Sequence, residues 1–194
     1  MSDNTTNVIS CQEKIHVIVC VTMEIALLSK SGLRIKGKRA SFAVDPQEKH
    51  EYEAILLLDK LQDVVAKSES AVIISGYGEY EIGGIKMAAT RIESDLIYSM
   101  HVDNISILLG KLSALDKIHS KLQEHQIVIA NCTDSGNASF ITSLAENVVM
   151  FYGEKAAEVA SGFSKESVKN MNKYSSTKDK LPAEVETVLL APSV

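Results

Sequence analysis

The sequence predicts an α/β protein of the α+β type, with two β-sheets packed face to face and helices flanking them. Three observations carry this expectation. Strand-like segments fall into two meanders, short continuous apolar runs lie beside them as buried strands would, and helical periodicity is concentrated in the second half.

Residues 1–14 (MSDNTTNVISCQEK) are polar and read as a flexible segment, which leaves residues 15–194 as a single domain. The next segment, IHVIVCV, is dense in β-branched residues and suits a buried strand. MEIALL from Met23, then GLRI, the basic turn Lys36-Gly37-Lys38 and RASFAVDP make the first meander, which Asp45-Pro46 should end. AILLL and AVIIS are apolar throughout, as strands covered on both faces are. Between them, DKLQDVVAKSES repeats Leu61, Val64 and Val65 at helical spacing. The second meander, IKMAAT, LIYSMHV and ISILL, has Asp103-Asn104 as a tight hairpin turn. From Leu112 to Gln126 the stripe Leu112, Leu115, Ile118 and Leu122 predicts a helix that feeds the strand IVIAN. A short helix over Ser139 to Glu146, a strand VVMFY, a helix capped by Ser164 and running towards Met171, and a last strand VETVLLA complete the order.

The chain has 194 residues, 45% of them hydrophobic and 23% charged, with three prolines, so it is expected to bury one sizeable core. Its formal net charge of -5 and the absence of Trp argue against nucleic acid, and no basic run is long enough to seek an anionic membrane. Cys11, Cys20 and Cys132 are odd in number and unpaired by spacing, which points to reduced thiols. The apolar run from Ile15 to Leu28 is broken by Thr22 and Glu24 and has no small-residue cleavage pattern, so a cytoplasmic location is expected.

Three separated segments resemble the metallo-β-lactamase-fold superfamily, in particular its small bacterial zinc-dependent hydrolases related to L-ascorbate-6-phosphate lactonase. They are MEIALLSKSGLRIKGKRASFAVDP, ISGYGEYEIGGI and KLPAEVETVLL, and LIYSMHVDNISILLGKL extends the likeness to residues 23–192. Gly76, Gly78, Glu79, Tyr80 and Glu81 match the family's Gly-Pro-Gly-Glu-Tyr-Glu element, with Tyr77 in place of its proline. The resemblance implies an αββα sandwich of two mixed sheets and a zinc-activated water that attacks ester, lactone or phosphodiester bonds.

The zinc ligands that the resemblance implies are not in the sequence. The His-x-His-x-Asp-His cluster should follow AILLL, where Asp59, Lys60, Leu61, Gln62, Asp63, Val64 and Val65 stand, and at most Asp63 corresponds. Thr90 to Leu96 lacks the further His, the bridging Asp falls on Lys111, the final His falls near Phe151, and the early Gly-His pair falls on Ser29 and Lys30. One carboxylate without an imidazole is too few ligands for zinc. No cofactor is therefore expected.

The expected function is that of a pseudoenzyme with a structural, small-anion-binding or protein-interaction role, whose former metal pocket is lined by Lys30, Asp59, Asp63, Tyr77, Lys111 and Phe151. Two lysines there could replace the lost cation charge and favour a small anion. The alternative is an active metal-dependent hydrolase rearranged around Asp59, Asp63, Glu79 and Glu81. A protein partner or a homo-oligomer is open on either reading. His16, His50, His101, His119 and His125 form no ligand-spaced pair, and His119 and His125 read as surface residues. His101 shares a strand face with Asp103. Glu79 and Glu81 lie two apart as a carboxylate pair, but the glycines around them, Gly83 and Gly84 included, more simply fix a chain reversal. Cys132, Asp134, Ser135 and Ser139 make only a weak motif, since no histidine is placed to activate those hydroxyls.

Overall fold

The structure, a computed structural model, describes residues 22–47, 51–59, 71–134, 136–163 and 168–192. An antiparallel meander of β1 (Met23–Leu27), β2 (Leu33–Lys36) and β3 (Ser41–Val44) opens the fold. The apolar strands β4 (Ala54–Leu56) and β5 (Val72–Ile74) then add to it in parallel. A second meander follows, made of β6 (Gly78–Ile82), β7 (Ile85–Ile92), β8 (Asp95–Val102) and β9 (Ile105–Lys111). Beyond it the chain alternates: α1 (Leu112–Ile118), β10 (His125–Asn131), β11 (Ala145–Tyr152), α2 (Ala156–Ala160), β12 (Val168–Met171), β13 (Lys173–Ser176) and β14 (Glu186–Leu190). The six-stranded first sheet runs β13-β1-β2-β3-β4-β5 and the eight-stranded second sheet β12-β14-β11-β10-β9-β8-β7-β6.

All three hairpins of the second meander are closed by two-residue turns, and in two of them both turn residues have positive φ. Gly83 and Gly84 have φ of 59° and 75°, and Asp103 and Asn104 of 51° and 67°. Positive φ at both central residues is the type I′ geometry, whose twist matches that of the flanking strands. The expected Asp103-Asn104 turn is therefore present.

The main core lies between the sheets, where Ile25, Ile35, Phe42 and Leu56 of one meet Leu96, Tyr98, Ile107, Leu109, Ile129 and Met150 of the other. A second core on the outer side of the second sheet joins Leu108, Val128, Val149 and Phe151 to Leu112, Leu115, Ile141 and Val159. Because side chains alternate along a strand, β9, β10 and β11 bury both faces and read as continuous apolar runs.

Three helical expectations are corrected. The helix expected to reach Gln126 stops at Ile118; a short 3-10 turn, His119–Lys121, follows, and His125 already belongs to β10. Only Leu112, Ala114 and Leu115 of that helix are buried, so its distal half has little apolar packing to hold it. Ser139 to Glu146 contains one 3-10 turn, Ile141–Leu144, before β11 begins. The helix expected towards Met171 gives way to β12, where pairing with β14 overrides local helical preference. The expected strand IHVIVCV and the repeat Leu61, Val64, Val65 lie outside the described residues. No helix among the described residues is long and apolar enough to cross a membrane.

Candidate functional site

The C-terminal ends of β4 and β9 meet the start of β8. Leu96 donates its amide to the Leu58 carbonyl across the two sheets at 2.9 Å, and Asp59 forms an isolated bridge with Asp95. Lys111 ends β9 on the inter-sheet face, in line with Ile105, Ile107 and Leu109. Its Nζ lies 2.7 Å from Asp95 Oδ1 and 3.0 Å from Asp59 Oδ2. All three side chains are largely withdrawn from water, at 18% exposure for Lys111, 30% for Asp59 and 15% for Asp95. Burial works against the ammonium, but the bonds to Asp95 and Asp59 outweigh it and raise the Lys111 pKa.

Buried polar groups lie beside this ion cluster. Asp45, at the end of β3, adopts a left-handed φ of 43° and accepts the Leu58 amide on Oδ1 at 3.0 Å. Burial pushes its carboxyl up to about 7, against the Leu58 bond and the Lys111 charge, which pull it down, while Asp59 adds a smaller upward push. Lys111, Asn131 and Tyr152 are cross-strand neighbours at the ends of β9, β10 and β11. Asn131 lies close to the Tyr152 hydroxyl, yet neither Asn131 Oδ1 nor that hydroxyl has a well-formed partner among the described residues. The Tyr98 hydroxyl is shared between the Leu57 and Ile74 carbonyls at 2.8 and 3.0 Å.

No protein-family model matches the sequence, and no curated protein matches it. Solved structures do match. A protein of Thermotoga maritima assigned as a Zn-dependent hydrolase of the metallo-beta-lactamase superfamily aligns with a TM-score of 0.65, over 86% of this chain and 98% of its own, at 13% identity. The present chain has the metallo-β-lactamase fold. A protein of Parabacteroides distasonis assigned as a metal-dependent hydrolase aligns at TM-score 0.53 and 12% identity, covering 85% and 92% of the two chains. The metallo-beta-lactamase fold protein YhfI of Bacillus subtilis aligns at 0.52 and 7% identity, covering 87% and 96%.

The metallo-β-lactamase fold implies zinc, and the donors present do not suit it. Asp45, Asp59 and Asp95 offer carboxylates, but the Lys111 ammonium already sits between two of them and would repel a dication. Among the described residues, no group of three or more His, Cys, Asp or Glu side chains is arranged to hold a metal ion.

Of the expected pocket residues that lie among the described residues, only Asp59 and Lys111 are brought together. Lys30 is exposed in a groove with Gly153, Lys155 and Leu190, over the ends of β11 and β14. Tyr77 is 65% exposed and stacks against the Arg91 guanidinium at 4.6 Å. Phe151 does not line the cleft: one residue out of phase with Tyr152, it points to the outer core and packs on Phe163. Asp63 lies outside the described residues. The Lys111 charge is matched by two carboxylates, which removes the charge argument for an anion there.

In the turn element, Gly78 has a φ of 145°, and the Tyr80 hydroxyl donates to the Gly76 carbonyl at 3.0 Å while its ring joins the inter-sheet core. Glu79 and Glu81 therefore point to the outer face of the sheet, away from Asp59. Asp103 accepts the Lys38 amide at 3.0 Å. His119 is exposed beside Phe140, as expected, whereas His125 is a correction: it is buried, bonded to Ser99 and to the Gln123 carbonyl. Burial pushes the Cys132 thiol up to about 12, so it is inert at neutral pH. Cys11, Cys20, His16, His50 and Ser135 lie outside the described residues.

Sequence reasoning misses Asp95, Tyr98, Asn131 and Tyr152 as members of this site. Asp45 carries a signal, the Asp-Pro that ends the first meander, but it reads there only as a strand terminator.

Proposed function

We propose that this chain is a degenerate metallo-β-lactamase-fold protein, related to the small bacterial zinc-dependent hydrolases of the lactonase kind, that has given up water activation and acts as a structural or protein-binding module. The observation that carries this reading is the Lys111 ammonium held between Asp59 and Asp95. A hydrolase of this fold needs a dication to generate hydroxide near neutral pH. An ammonium supplies charge to neighbouring carboxylates but has no open coordination position for water. Asp45, Asn131 and Tyr152, at 6%, 3% and 0% exposure, present almost no surface to a substrate beside it.

The alternative hydrolase, rearranged around Asp59, Asp63, Glu79 and Glu81, loses geometric support because the two glutamates face the outside of the second sheet. Elemental analysis of protein purified without chelator should find metal far below one equivalent. A phosphodiesterase and lactonase screen should be blank, and a chelator should leave the melting temperature unchanged. Stoichiometric metal together with turnover that is lost in Asp59→Asn would overturn the proposal.

A further inference from the structure

The outer face of the second sheet carries a polar site separate from the Lys111 cluster. Ser99, midway along β8, opens there into a groove of about 500 Å³ lined by Glu79, Glu81, Lys86, Ala88 and His101. Its Oγ lies 2.7 Å from His125 Nε2, and His125 Nδ1 lies 2.8 Å from the Gln123 carbonyl oxygen. A carbonyl can only accept, so Nδ1 carries the proton and Nε2 is left as an acceptor. The Ser99 hydroxyl therefore donates to Nε2. This is the order of nucleophile, base and orienting group that activates a hydroxyl, with a backbone carbonyl in the third position.

We infer that Ser99 is an acylatable nucleophile, with His125 as its general base, towards small esters that carry a good leaving group. Burial lowers the His125 pKa, which keeps the imidazole in its neutral, proton-accepting form at neutral pH. In the acylation step Oγ bonds to the ester carbonyl carbon as its proton passes to Nε2. The carbon–oxygen bond to the leaving alcohol or phenol then breaks as Nε2 hands that proton to it, leaving an ester on Ser99. Backbone amides on this face are spent in the β-ladder, so the oxyanion must take donors from side chains. Lys86 and His101, each two residues along its strand from the Ala88–Ser99 pair, are the groups in the groove able to serve. Glu79 and Glu81 make the rim acidic, which selects neutral or cationic esters over anionic ones. The inference is independent of the proposed function, because it needs no metal and uses the opposite face of the sheet.

Incubation with p-nitrophenyl acetate tests it. The expected result is a burst of nitrophenol, an acetyl group on the Ser99 peptide by mass mapping, and loss of both in Ser99→Ala. His125→Asn, checked for an unchanged melting temperature, should slow acetylation of Ser99 by roughly a hundredfold. Mapping the unsubstituted protein locates the acetyl group whether or not a variant folds. Acetyl found only on lysines, or Ser99 acetylated at an unchanged rate in His125→Asn, would overturn the inference. Either result leaves the metal-content experiment, and the reading it tests, untouched.

Discussion

Lys111 and Asp45 place charge where solvent stabilises it only in part, and each should leave a measurable trace. Replacing Lys111 by Met keeps the stem's packing but removes the ammonium that sits between the Asp59 and Asp95 carboxylates. Because the trio is partly exposed, the expected loss lies between the surface and fully buried cases, about 1–3 kcal/mol by urea denaturation. Asp45 acts in the opposite sense. Its folded pKa is raised from 3.8 to about 7, so its contribution to stability is complete below 3.8 and is lost as pH rises through about 7. Asp45→Asn retains an acceptor for the Leu58 amide. It should flatten the fall in unfolding free energy over that window, a fall whose slope for one group is at most about 1.4 kcal/mol per pH unit. The residue scale is also where the sequence says least: Lys111 meets partners 16 and 52 positions away, and no local pattern marks a pair of that kind.

Among the elements, those with an alternating pattern, a continuous apolar run or a forced turn are legible from sequence alone. β1 to β3, the Asp103-Asn104 hairpin and the apolar strands β4, β9, β10 and β11 follow from period and turn chemistry. The helices are not, because α1 and α2 rest on a sheet that decides how much of each amphipathic pattern is used. β12 shows the same effect, since its edge position in the second sheet is set by β14. One turn is more demanding than its sequence suggests. Gly153, after β11, has a φ of 109°, and a Cβ there would lie 2.8 Å from the Cys132 carbonyl oxygen. Both conformation and contact exclude a side chain, so Gly153→Ala should cost about 2–4 kcal/mol, read as a shift of the denaturation midpoint.

The whole molecule is two sheets joined at separate heights. The resemblance of three sequence segments is enough to expect the sandwich, yet not to show how the sheets are fastened, which depends on contacts between distant strands. Tyr98, from the second sheet, gives its hydroxyl to the Leu57 and Ile74 carbonyls of the first. Tyr98→Phe should lower stability by about 1–2 kcal/mol in thermal or urea unfolding, since it takes the hydroxyl donor from the buried Leu57 carbonyl, while the Ile74 carbonyl keeps the Leu57 amide at 3.1 Å.

The contact between Asp103 and the Lys38 amide lies at the end of the sandwich opposite Lys111, where the β8–β9 and β2–β3 turns touch. With Tyr98 between them, these contacts pin the two layers like a laminated beam riveted at both ends and at mid-span. Under a tangential load the layers cannot glide past one another until a rivet shears. Force applied across the layers should therefore meet one abrupt rupture rather than gradual slippage.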